Sequence, residues 1–100
     1  MREDEELAAI WAEFREATLA RVAVLEAAAA AAAAGMLDND ARAAARAEAH
    51  TLAGTAAIFG RAEIARLARE LERSFDVPGA VGSVEGARVL EAARALRREV

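Results

Sequence analysis

A chain of 100 residues with a net charge of −4 has room for one hydrophobic core and lacks the basic field that displaces counterions from nucleic-acid phosphates. The absence of cysteine excludes disulfides and thiolate zinc sites, and a single histidine excludes a histidine-rich metal cluster. The start, Met1-Arg2-Glu3-Asp4-Glu5-Glu6, is acidic where a secretory leader is basic, and no apolar run approaches the roughly 20 residues of a membrane span, so a cytoplasmic protein with no nucleic-acid and no membrane partner is expected.

Much of the 56% hydrophobic content is alanine, which has the best helix propensity, buries little area and lets helices approach closely. Bulk must come from Trp11, Phe14, Phe59 and Phe75, together with the leucines, isoleucines and valines. From about Glu5 to Ala33 the residues Leu7, Ile10, Trp11, Phe14, Thr18, Val22 and Leu25 recur at steps of three and four, which predicts one long helix with that face inward. The tract Ala27 to Ala34 continues this helix, because alanine loses almost no side-chain entropy and the preceding turns supply the nucleus. Gly35 suits the left-handed position that closes it. Asp38, Asn39 and Asp40 offer caps to a second helix, running from about residue 40 to 59.

Gly60 turns the chain into a third helix, about residues 61–75, whose inward face is Ile64, Leu67, Ala68, Leu71 and Phe75. Pro78, Gly79 and Gly82 interrupt regular structure between Asp76 and Ser83. Ser83 then caps a last helix, about residues 84–98, carrying Val89, Leu90, Ala93, Leu96 and Val100 inward. Four helices on short connections predict an all-α, antiparallel up-down-up-down four-helix bundle, one domain over residues 1–100.

The stretch Ala49 to Gly60 holds the lone histidine. Leu52, Ala56 and Phe59 share its apolar face, and His50 lies off that stripe with Arg46, Ala53 and Gly54 one turn away. Surrounded by small side chains and a cation, and in contact with water, the imidazole is within reach of another protein. A solvated or core-satisfied side chain is the plain alternative for a single helical histidine. All the basic residues are arginines, and several fall between Arg42 and Arg73, so a local basic patch is expected on an acidic protein.

The run Ala49-His50-Thr51-Leu52-Ala53-Gly54-Thr55-Ala56, Gly60 ten residues after the histidine, Leu67, and the pair Leu71-Glu72 resemble the histidine-containing phosphotransfer (HPt) domain of bacterial phosphorelays. The first helix, with Phe14 and Leu25, fits as well, so the resemblance covers most of the chain. It implies that His50 accepts a phosphoryl group and passes it to or from the aspartate of a response-regulator receiver domain, with a sensor histidine kinase as a further partner. The chain would carry phosphate without kinase or ATPase activity of its own. No phosphate-cradling glycine loop or magnesium-binding carboxylate pair stands in the sequence, so no cofactor is expected and magnesium belongs to the partner receiver.

A neutral imidazole nitrogen is a good nucleophile near neutral pH, which suits the implied role. Gly54 inside a helix costs about 0.5–1 kcal/mol relative to alanine; it either clears space for a docked active site or serves helix–helix packing. Ala57 joins the same small-residue docking face. Thr55, a small hydroxyl residue at an offset where the family usually carries one, either joins the site or hydrogen-bonds its own helix backbone. The family usually places a basic residue three after the histidine, and this chain has Ala53 there. Arg46 is the expected substitute, with Arg42 one turn further back and Arg69 or Arg73 approaching from the third helix. The other reading of these arginines is that they keep an alanine-rich surface soluble. Ala53 also leaves a second reading of the whole chain, a degenerate HPt-like module that binds receivers or other partners without phosphotransfer. The initiating Met1 and the full set of helices favour a free-standing protein.

Overall fold

Glycine and aspartate divide the chain where their conformational preferences require. In the computed structural model, which describes residues 2–76 and 83–100, the elements are α1 (Arg2–Ala33), α2 (Asn39–Ile58), α3 (Ala62–Ser74) and α4 (Ser83–Glu99). Among the described residues all regular structure is helical.

α1 and α2 end in the same way. Met36 N–H donates to the Ala31 carbonyl at 2.8 Å and Gly35 N–H to that of Ala32 at 3.0 Å; Arg61 and Gly60 repeat the pattern on Ala56 and Ala57, at 2.8 and 3.2 Å. This closure needs a left-handed residue, and Gly35 and Gly60 supply it with φ of 70° and 71°. The Asp38 carboxylate accepts from Ala41 N–H at 2.7 Å and so caps α2. The proline–glycine interruption falls mainly on residues 77–82, and the expected Ser83 cap on a side chain, both outside the described residues.

Contacts between helices give their directions. Arg21 pairs with Glu48 and Trp11 packs edge-on against Phe59, so α1 and α2 are antiparallel. His50 meets Glu72 and Arg46 meets Asp76, so α2 and α3 are antiparallel. Arg97 pairs with Glu26 and Arg15 donates to the Val100 carbonyl, so α4 runs opposite to α1. The result is an all-α four-helix bundle. Among its described residues no helix is long and apolar enough to cross a membrane.

Val22, Leu25, Leu52, Leu71, Phe75 and Leu96 are fully buried and form the bulk of the core. Burying each leucine contributes about 1.5–3 kcal/mol. Alanines 28, 29, 32, 45, 49, 56 and 68 fill the rest and allow close approach. One close approach is at Gly86 of α4, where an added Cβ would stand 2.5 Å from the Ala33 nitrogen and 2.6 Å from the Ala32 carbonyl carbon of α1.

The inward face expected for α1 needs correction. Trp11, Thr18, Val22 and Leu25 are buried, but Leu7, Ile10 and Phe14 are exposed. The cause is length: the turn after α2 reaches the level of Trp11 and Val100 the level of Arg15, so residues 2–10 of α1 run beyond every other described helix. At 1.5 Å per residue that overhang is about 13 Å long. Phe14 is placed about 60° round the helix from Trp11 and only rests on Phe59, with ring centroids 6.4 Å apart. In α4, Leu90 and Val100 are partly rather than fully buried.

Candidate functional site

Ala45, Ala49, Leu52 and Ala56 bury the inner face of α2. A further turn of about 100° carries His50 to the shoulder of the helix beside α3. There its Nδ1 lies 2.9 Å from Glu72 Oε2, while the histidine side chain remains 72% exposed. An ionised carboxylate can only accept, so the neutral ring in this contact carries its proton on Nδ1 and its lone pair on Nε2. Among the described residues Nε2 makes no hydrogen bond.

The same carboxylate oxygen ties the ring to a cation. Glu72 Oε2 is 3.8 Å from Arg46 Nη2, and Arg46 Nε donates to Asp76 Oδ1 at 2.7 Å. That hydrogen bond, with the charges of Asp76 and Glu72, raises the Arg46 pKa above its ordinary value. Arg46 is thus one turn before His50, as expected, and already engaged with two carboxylates. Arg42 is different. It is buried, its Nε donates to Asn39 Oδ1 at 3.0 Å and its Nη1 to the Phe75 carbonyl, so it caps the C-terminal end of α3 and its guanidinium does not reach the histidine.

Three residues of α2 were expected beside the ring. Gly54 is exposed, and a Cβ built there would meet nothing within 4 Å. Helix packing therefore does not explain this glycine, and the surface beside His50 is open. Ala57 is exposed on the same side. Ala53 is corrected: three residues past the histidine the helix has turned back toward the core, and Ala53 is only 6% exposed. A small residue there packs, whereas a basic one would have to bring its charge out along its stem.

Thr55 faces away from the ring. Five residues on, it lies about 140° round the helix, half-buried in a groove against α1 with Phe14, Thr18, Arg21 and Phe59. The alternative reading, a hydrogen bond to its own helix backbone, is not found among the described residues. On α3, Arg69 is exposed one turn before Glu72, and Arg73 follows Glu72 directly. Neither takes part in a hydrogen bond or ion pair among the described residues, so these are the cations with no carboxylate to hold them near the histidine's helix pair. The basic stretch from Arg42 to Arg73 is thus broken up by Glu48, Glu63, Glu70 and Glu72, each paired with an arginine or with His50.

Glu72 and Asp76 had no role assigned from the sequence. Their place across the hairpin from His50 and Arg46 is a matter of register. No group of three or more His, Asp or Glu among the described residues is arranged to hold a metal ion.

An exposed histidine, oriented by a carboxylate on a clear helical shoulder of a four-helix bundle, also fits the comparison with known families. The family model of the Hpt domain matches residues 9–100. No curated protein and no solved structure matches the chain. With nearly its whole length covered, the chain belongs to the Hpt domain family, whose members are phosphocarrier modules that work with receiver domains and kinases in two-component phosphorelays.

Proposed function

We propose that His50 is the phosphoryl acceptor and that it exchanges the group with an aspartate of a receiver domain. The observation that carries this reading is the Nδ1 contact with Glu72, 2.9 Å long, on a ring that is otherwise largely exposed. The Nε2 lone pair attacks phosphorus, the N–P bond forms, the acyl-phosphate P–O bond breaks, and the aspartate leaves as a carboxylate. The ring becomes cationic while Nδ1 keeps its proton, and Glu72 offsets that charge. Transfer in the other direction retraces the same path.

Gly54 leaves the partner room to close over Nε2. Arg46 shares Glu72 Oε2 with the ring and can turn from Asp76 to the phosphoryl oxygens, because an exposed ion pair is only weakly held in water. Arg69 is free to meet either the phosphoryl group or acidic residues around the receiver aspartate. Magnesium is supplied by the receiver.

Receiver domains charged with acetyl phosphate provide the test. The label transferred to this chain should be acid-labile and alkali-stable and should map to His50 by peptide mass. If no receiver in a broad panel transfers label yet some bind, the chain is a binding module and the phosphotransfer reading fails. A second result is expected from Gly54→Ala: thermal unfolding should show a gain of about 0.5–1 kcal/mol, because a helix-interior glycine is replaced in open space. The same variant should accept phosphate more slowly from a receiver. An unchanged transfer rate would remove clearance as the reason for the glycine.

A further inference from the structure

α1 carries a second apolar stripe besides the one it buries. Leu7, Ile10, Phe14, Ala17, Arg21 and Val24 step alternately by three and four, which is the spacing of a helix that packs along another helix. Leu7, Ile10, Phe14 (52%) and Val24 are exposed; Phe14 rests on Phe59 and Val24 borders a groove against α2, and both keep an open face. Arg21 interrupts the apolar run, and Glu3 extends the stripe one step toward the N-terminus.

We infer that this stripe pairs with the same stripe of a second copy, antiparallel, about a two-fold axis that crosses the stripe at the level of residue 12, midway between Ile10 and Phe14. In an antiparallel helix pair the two kinds of stripe position face each other, so residue i meets residue 24−i of the other chain. Ile10 then packs on Phe14, Leu7 on the small Ala17, and Glu3 lies opposite Arg21. Size and charge match at each of these layers, and Val24 lies past the end of the partner helix. Arg21 gives Nη1 to Glu48 within its own chain, and its other N–H groups remain as donors for the second carboxylate. A parallel pair would instead set Arg21 against Arg21 and the acidic starts of α1 against each other, which selects the antiparallel arrangement.

The pairing uses the overhang of residues 2–10, which has no partner helix among the described residues of its own chain, to cover Phe14 to Arg21 of the other. It lies on the α1 side of α2, whereas His50 stands on the α3 side, so both histidines stay open. The inference is therefore independent of the phosphotransfer reading.

Sedimentation equilibrium of the full chain tests it. The mass should double from 10.5 kDa as concentration rises from micromolar to millimolar. Ile10→Glu should return the monomer with unchanged helicity, since Ile10 lies outside the described core. The natural chain has no cysteine, so a mixture of Leu7→Cys and Ala17→Cys chains can be oxidised without background. Crosslinks should join unlike chains and be scarce within either variant alone. A monomer at every concentration overturns the inference, as do like-with-like crosslinks. A monomeric wild type whose Ile10→Glu variant accepts phosphate more slowly would assign the stripe to receiver docking and overturn it equally.

Discussion

Replacing His50 with glutamine should abolish acid-labile phosphate on the chain while leaving the bundle as stable as before. The side chain is 72% exposed and its one recorded contact is with Glu72, so its loss should change unfolding free energy by no more than about 0.5 kcal/mol. Chemically the loss is complete. An amide nitrogen has no available lone pair, and no other histidine or cysteine exists to take the group. Glu72→Gln gives the graded control. Its amide oxygen still accepts from Nδ1–H, but the negative charge that balances the ring is gone, a loss of about 1 kcal/mol between charged and neutral hydrogen bonds, or roughly a five- to tenfold slower transfer. Label quantified against time for both variants separates nucleophile from positioning residue. Residual acid-labile phosphate on His50→Gln would place the acceptor elsewhere.

The second large effect is on stability alone. Gly86→Val should cost about 3 kcal/mol or more, because the new side chain meets backbone, and backbone cannot rotate aside. Its Cβ would lie 2.5 Å from Ala33 N, 2.6 Å from Ala32 C and 2.7 Å from Ala33 Cα. To admit it, α4 must draw away from α1, opening an interface whose nearby side chains are alanines too short to fill the gap. At about 4–8 °C per kcal/mol for a domain of this size, the melting temperature should fall by roughly 12 °C or more. The gain of helix propensity over glycine is too small to offset this. A variant melting within a few degrees of the wild type would show that the two helices do not touch at Gly86.

The fold was legible because its signals are local. Gly35 and Gly60 mark turns that only a left-handed residue closes, Asp38 caps α2, and Leu71 and Phe75 lie where a period of 3.6 puts them, at the centre of the core. Leu7, Ile10 and Phe14 follow the same period and are exposed all the same, because periodicity shows which face is apolar but not how far the neighbouring helices extend. The site divided in a similar way. Gly54 and the off-core position of His50 follow from counting along one helix. Ala53 and Thr55 are close to His50 in sequence, but the helical turn sends one into the core and the other toward α1.

Glu72 and Asp76 needed a count across two helices. His50 and Glu72 are each eleven residues from Arg61, and Arg46 and Asp76 are each fifteen, so an antiparallel hairpin of equal rise brings both pairs together. Arg42 could not be read that way. Whether a long cation points to solvent or turns in to cap a neighbouring helix depends on where that helix stops, and α3 stops beside it at Phe75.

The sole tryptophan, Trp11, is buried at the end of the bundle, packed edge-on against Phe59 with ring centroids 5.6 Å apart and with the Arg61 guanidinium carbon 5.2 Å from its ring centroid. It stands one turn from Phe14 and about nine residues of α2, or roughly 14 Å of helix, from the level of His50. Its emission is therefore a built-in optical gauge of the turn between α2 and α3 and of whatever covers the overhang of α1. A chemical event on the imidazole is too remote to quench it directly, so light from this residue reports assembly and unfolding separately from the phosphorylation state.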